Sequence, residues 1–258
     1  MDKNCLEQLN RAFEDIRRQG VEIRIFDEID STNTEAKRYC IGGGSVPALF
    51  WADGQTSGRG RMGRSFYSPS ESGIYLSLLT AAPQDADSLT RVTSAAAVAL
   101  HRAIFDELGI DTGIKWVNDL YFKGKKIAGI LAESFFVGDT RYIIIGAGIN
   151  LSTAVFPEEL RDKAGALVRD CGSALRARLS ARAAHNLLDS LDDLGNEEMI
   201  DYYRAHSVVL GRAVTFCENG EEYRGVAESI DGLGRLSVRL ENGGSRLLSG
   251  GEISLRLD

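Results

Sequence analysis

The stretch 54–64 (GQTSGRGRMGR) sets Arg59, Arg61 and Arg64 among Gly58, Gly60 and Gly63. A guanidinium offers a planar fork of donors that fits carboxylate and phosphate oxygens two at a time. Glycine permits positive φ and lets the backbone approach a ligand closely. Together they suit a loop that folds over an anion. Taken alone, the stretch reads equally as a basic linker or as an arginine-glycine segment that binds nucleic acid. Its flanks favour the loop that folds over an anion. An apolar run at 47–52 leads in and an alternating run at 74–79 leads out, so the loop joins two strands of a packed sheet.

Three further groups could do chemistry. Lys115, Asn118 and Asp119 are polar within the apolar stretch 114–122, where burial without a partner costs a few kcal/mol. Lys126 opens the apolar run 127–132 one turn (Lys123-Gly124) later. A hairpin would bring it beside Asn118 and Asp119. Ser31 or Thr32 can cap a helix, and Thr32 with Glu35 has capping-box spacing. The same helix N-terminus could face a polar ligand. Finally, the apolar strand 141–150 closes on Gly146, Gly148 and Asn150, where small residues leave room against the strand.

The elements that must position these groups follow from periodicity. Leu6, Leu9, Phe13 and Ile16 mark one helix over residues 3 to 19, and 21–26 alternates as a strand. Residues 86–108 predict the longest helix, stopped by Gly109. Helices are expected at 172–194 and 196–206, after a loop with a short helix. Asn219-Gly220, Asp231-Gly232 and Asn242-Gly243 then punctuate alternating runs as hairpin turns. The chain is therefore expected to form two domains, 1–207 and a small β-barrel or sandwich at 208–258.

Composition excludes several classes. The 258 residues are 43% hydrophobic, enough for a full core. The net charge of −7 disfavours a general nucleic-acid binder. Cys5, Cys40, Cys171 and Cys217 form no C-x-x-C pair, which argues for reduced thiols and a cytoplasmic location. His101, His185 and His206 are far apart in sequence and lack ligand spacing, so each is expected on a helix as a surface or boundary residue, and no protein-held metal is expected. No signal peptide is read at the N-terminus, and no apolar run reaches the roughly 18 residues of a membrane span.

In order, Asp30 to Asn33, the 58–64 loop, Lys115 to Asp119 with 126–131, 146–150 and the closing stretch 250–256 resemble the biotin protein ligases, also called biotin–[acetyl-CoA-carboxylase] ligases. The resemblance spans residues 21 to 258. It implies an α+β fold: a class II synthetase-like mixed sheet with helices on one face, then an SH3-like β-barrel. It implies that biotin and ATP give biotinyl-5′-AMP, whose biotinyl group passes to a lysine of a biotin carboxyl carrier protein. By that resemblance Lys126, Arg61, Arg59 and Asp119 are catalytic. Ser31, Thr32, Gln55, Gly58, Arg59, Arg61, Lys126, Gly129 and Gly146 are on the biotin side, with Gly148 in the same wall. Arg61, Arg64, Phe66, Asn118, Lys126, Asn150 and Arg256 are on the nucleotide side. Magnesium is expected to arrive with ATP. Val117 stands where the family usually has proline, and Phe66 where many members have tryptophan. Only about 20 residues precede the first expected strand, too few for the family's DNA-binding module, so no DNA binding is expected. A homodimer is left open. A lipoate–protein ligase and a non-catalytic biotin sensor are the alternatives.

Overall fold

The computed structural model of the chain describes residues 1–192, 194–251 and 253–255. Seven strands form a mixed sheet in the order β1-β2-β3-β7-β6-β5-β4. They are β1 Glu22–Ile29, β2 Ala48–Gln55, β3 Gly73–Ala81, β4 Gly113–Lys115, β5 Asp119–Phe122, β6 Lys125–Val137 and β7 Thr140–Asn150. Only β1 and β2 run parallel; every other neighbouring pair is antiparallel.

Among the described residues, six α-helices accompany the sheet: α1 Lys3–Ala12, α2 Glu14–Arg18, α3 Thr32–Ile41, α4 Ala86–Leu108, α5 Ser173–Asp192 and α6 Glu197–Ala205. The single helix expected over 3–19 is broken in two. Phe13 leaves helical geometry (φ −88°, ψ 3°) and is fully buried, so the chain bends to put that ring in the core. α4 matches its expectation residue for residue. Asp85 caps it by accepting from the Ser88 amide at 2.7 Å, and Gly109 ends it at φ 64°, a left-handed value that glycine adopts without penalty.

Side-chain alternation divides the sheet into two faces. Leu49, Trp51, Leu76, Leu78, Ile143 and Ile145 join the main core beneath α1, α4, α5 and α6. Ala48, Phe50, Leu79 and Ile144 point the other way and pack with Ala36 and Cys40 of α3. The helices are thus not all on one face: α3 lies alone on the second. Its Ala36 and Cys40 make a narrow apolar stripe that covers only one end of that face.

The remaining strands, β8 Ala213–Glu218, β9 Glu221–Ile230, β10 Leu236–Leu240, β11 Ser245–Leu248 and β12 Ile253–Leu255, form an antiparallel sheet in the order β11-β10-β9-β8-β12. Asn219 and Gly220 turn β8 into β9 with positive φ at both (53° and 84°), as a two-residue hairpin requires. Trp116 Nε1 donates to the Gly234 carbonyl at 2.9 Å and ties this sheet to the first. No helix among the described residues is long and apolar enough to cross a membrane.

Candidate active site

The part of the sheet that α3 leaves uncovered is paved with glycine. Gly146 and Gly148 on β7 face the same side as Ile144 by alternation, and β6 sets Gly129 opposite Gly148. A Cβ at Gly146 would overlap Asn33 Oδ1, one at Gly148 would press into the Phe66 ring, and one at Gly129 would lie 3.1 Å from the end of the Lys126 stem. Any side chain here would fill a cleft of about 450 Å³, counted with its open mouth, bounded by Thr32, Gln55, Arg61, Phe66 and Lys126.

One end of the cleft is a network of neutral polar groups around the start of α3. Ser31, not Thr32, is the cap, and its hydroxyl accepts from the Thr34 amide at a long 3.5 Å. Thr32 is the first helical residue. Its amide and hydroxyl both donate to Gln55 Oε1, at 2.9 and 3.2 Å, and Gln55 Nε2 donates to Ser68 Oγ at 2.8 Å. Ser77 Oγ stands 2.7 Å from Thr32 Oγ1 and 2.6 Å from Asn33 Oδ1, so its one proton serves one of them at a time. Such a set is held rigid yet can trade donors and acceptors with an amide-like ring. Beside it, the Arg38 guanidinium holds the Asp30 carboxyl below the usual carboxylate range.

The other end is cationic. The basic loop is a small hairpin: the Phe66 amide donates to Gly58 O (2.8 Å) and the Gly60 amide to Arg64 O (2.7 Å). Met62 and Gly63 turn its tip at φ 55° and 76°. Gly58 has no room for a Cβ because the Phe66 carbonyl crosses there. The hairpin carries Arg61 to Asn118, whose Oδ1 accepts from Arg61 Nη1 at 2.9 Å. Asn118 is itself held through Nδ2, which donates to Ile130 O at 2.9 Å. Across the β5–β6 turn, Lys126 Nζ stands 2.7 Å from Asp119 Oδ1. That oxygen has no well-aligned hydrogen bond, so the contact is ionic. Just before β5 the Trp116–Val117 peptide is cis.

Beyond this point lies a second cavity, about 590 Å³ with its mouth, bordered also by Arg64, Lys115 and, from the second sheet, Gly251 and Ile253. The two cavities share Gly60, Arg61, Phe66, Asn118 and Lys126. The Phe66 ring is the partition between them, packed edge-on to Tyr75 (6.4 Å between centroids) and over Gly148.

Thus Ser31, Thr32, Gln55, Arg59, Arg61, Phe66, Asn118, Lys126, Gly129 and Gly146 meet at the first cavity, and Arg64 and Asp119 at the second. Arg59 reaches the cleft edge but is engaged: Glu133 of β6 takes both its terminal nitrogens, at 3.0 and 2.8 Å. Gly58 borders neither cavity; its place is in the packing of the hairpin. Asn150 borders neither; it is buried at the end of β7 with Oδ1 unpartnered. Arg256 lies outside the described residues.

Sequence reasoning missed Asn33, Ser77 and Glu133. Glu133 accepts from Asn33 Nδ2 at 2.9 Å as well as from Arg59, and so joins α3 to the loop. Its parity with Gly129 and Leu131 on the strand was the available signal. The histidine expectation holds for His185 and His206, which are partly exposed, and fails for His101, which is buried with its ring 4.4 Å from that of His206 because α4 and the end of α6 pack side by side.

Residues 25–150 match the model of the biotin/lipoate A/B protein ligase family, and residues 209–256 that of the biotin protein ligase C terminal domain. The bifunctional ligase/repressor BirA of Bacillus subtilis is 36% identical over 159 residues, 60% of this chain and 49% of that protein. The chain therefore spans about half the length of that relative. The biotin--[acetyl-CoA-carboxylase] ligase of Paracoccus denitrificans is 32% identical over 228 residues, 81% of this chain and 91% of that protein. The biotin protein ligase from Aquifex aeolicus, solved in complex with biotin and ATP, superposes with a TM-score of 0.78 at 26% identity, covering 92% of this chain and 99% of that one. With both family models matched in chain order over the two sheets, and a relative covered almost end to end, the chain belongs to the biotin/lipoate A/B protein ligase family.

Proposed function

We propose that the chain is an ATP-dependent biotin–protein ligase. The observation that carries this reading is the junction of the two cavities, where Arg61, Asn118 and Lys126 border both. Joining a carboxylate to a phosphate brings two anions together. Cations stationed in advance cancel that repulsion, and more so as charge builds in the transition state. One cavity offers a glycine floor and a neutral polar end, suited to an uncharged ureido ring with an apolar tail. The other is bordered by Arg64 and Lys115, suited to a nucleotide and its phosphates.

In the first step a biotin carboxylate oxygen bonds to the α-phosphorus of ATP, the α–β bridging P–O bond breaks, and pyrophosphate leaves. In the second, a lysine amine of a biotin carboxyl carrier protein attacks the acyl carbon, loses its proton and forms the amide, releasing AMP. Arg61 and Lys126 hold the meeting oxygens, and Asp119 keeps Lys126 pointed at them. Arg59 either leaves Glu133 for the carboxylate or uses that pair to pin the loop. The hairpin excludes water, which would hydrolyse the mixed anhydride. Asp119 and Glu133 are each committed to a cation, so magnesium comes to the site on the phosphates of ATP. The reaction is assigned to the cytoplasm, with no nucleic-acid step.

Pyrophosphate release with ATP and either biotin or lipoate tests this. Biotin is expected to stimulate release and lipoate to leave it at background. Stimulation by lipoate alone would assign the chain to the other branch of the family.

A further inference from the structure

Away from the cleft, two histidines and an aspartate that no step above uses come together. His101 is on α4, His206 directly follows α6, and Asp111 is in the segment leading into β4. One ligating atom from each lies within 4.8 Å of the other two. We propose that His101, Asp111 and His206 form a binding site for one late first-row divalent cation of the zinc class, completed by water.

The donor set selects the class. Neutral imidazole nitrogens suit zinc, cobalt and nickel, whereas magnesium and calcium take oxygen ligands. Three protein ligands with one open position is a common zinc arrangement.

The surroundings of the rings are those that ligating histidines need. A ligating imidazole donates its other N–H to a fixed acceptor, which sets the tautomer and the ring plane. His206 Nδ1 lies 2.9 Å from the Tyr202 carbonyl oxygen, to which it can only donate, so its Nε2 carries the free lone pair. His101 Nδ1 lies 2.8 Å from Thr112 Oγ1, and its Nε2 is turned to Asp111 Oδ1 at 3.8 Å. Tyr202 stacks on His206 at 4.1 Å and meets His101 edge-on at 5.5 Å, bracing both rings.

Bonds of about 2.0–2.1 Å in a tetrahedron set ligand atoms about 3.3 Å apart. The trio must therefore contract, and Asp111, 72% exposed, is the member free to move; His101, at 1%, and the braced His206 ring are the fixed posts.

The site has a structural consequence. The Ile114 amide donates to the His206 carbonyl at 2.7 Å, and the Val208 amide to Ile114 O at 3.0 Å, so the end of α6 is laced to β4. A bound cation would cross-link α4, α6 and the edge hairpin that presents Asn118 and Asp119 to the cleft. Because these ligands share no residue with the cleft, the proposal does not depend on the reaction assigned above.

The test uses the full chain stripped with a chelator, without nucleotide. Zn2+ titrated calorimetrically should bind one ion per chain and raise the melting temperature, and Co2+ should give the intense visible bands of four-coordination. His206→Gln and Asp111→Asn, both at exposed or partly exposed positions, should weaken Zn2+ binding at least tenfold and remove those bands. His185→Gln, at the separate surface pair with Asp189 (3.4 Å), should change nothing. Absence of a bound ion in the unsubstituted chain overturns the proposal. So does Zn2+ affinity that survives both substitutions.

Discussion

Lys126→Met separates the chemistry proposed for the cleft from the stability of the fold. Methionine keeps most of the stem and removes the charge. Lys126 and Asp119 are 32% and 20% exposed, so the site is half-open and an effective dielectric near 20 applies. A cation and an oxyanion 4 Å apart then interact by about 4 kcal/mol. Asp119, only 2.7 Å from the ammonium, offsets part of that field. The charge is left with about 2–4 kcal/mol of transition-state stabilisation, the scale found for single preorganised donors, and its loss should slow adenylate formation about 10²-fold. The pair is partly exposed, but Asp119 Oδ1 is shielded from solvent, so removing the ammonium should cost the fold about 1–3 kcal/mol, a modest drop in melting temperature.

Biotin-dependent exchange of pyrophosphate into ATP isolates the first step, and thermal melting of the same samples reads the second quantity. If Asp119 acts only through Lys126, Asp119→Asn should add no further loss in the Lys126→Met background. A loss below tenfold removes Lys126 from the mechanism. A slow enzyme that also melts far lower would mean that the substitution acts on the fold, and the electrostatic account would be wrong.

Gly146→Ala drives a methyl into Asn33 Oδ1 and displaces the group that Ser77 and Glu133 hold, so biotin affinity should fall at least tenfold by calorimetry while ATP affinity holds. Equal loss of both would place Gly146 outside the biotin side. Burial first, and the neighbouring His206 second, push His101 below its ordinary value; Asp111, Arg102 and Tyr202 also face it. A histidine with a depressed folded pKa contributes stability that is full above its unfolded value of about 6.5 and declines as pH falls from there towards the folded pKa. Melting temperatures in chelator should therefore drop below about pH 6.5 in the unsubstituted chain and less steeply in His101→Asn; parallel curves would show that His101 does not govern this range.

What the sequence disclosed was what neighbours in sequence decide. Asp85 and Gly109 bracket α4 by capping chemistry that acts within one turn, and both ends of that helix were readable. Lys126 meets Asp119 because a two-residue turn at Lys123 and Gly124, with φ 49° and 76°, folds a hairpin that the sequence signals. Glu133 was opaque for the opposite reason. Its partners Asn33 and Arg59 are 100 and 74 residues away, and a glutamate ending an apolar run looks like a strand tip reaching for water. His101 and His206 were opaque likewise, since only the packing of α6 on α4 brings them together. The break at Phe13 follows from burial of one ring, which overrides a periodic pattern that would otherwise run on.

The division of the sheet into two faces explains why the cleft lies where it does. The face beneath α4 and α5 carries Ile143, Ile145, Ala147 and Ile149 of β7, all buried in the main core. On the opposite face β7 runs Tyr142, Ile144, Gly146 and Gly148. The first two pack with α3, which starts at Thr32 above Gly146. Past that point no helix continues and no side chain rises, so the strand offers only backbone. Phe66, arriving from the hairpin, closes the far end over Gly148. A ligand entering between them meets the first turn of a helix on one side and the arginine loop on the other. Loss of side chains at two alternate positions of one strand is thus what converts a closed α/β layer into a site, and every polar contact described for the cleft is arranged around that gap.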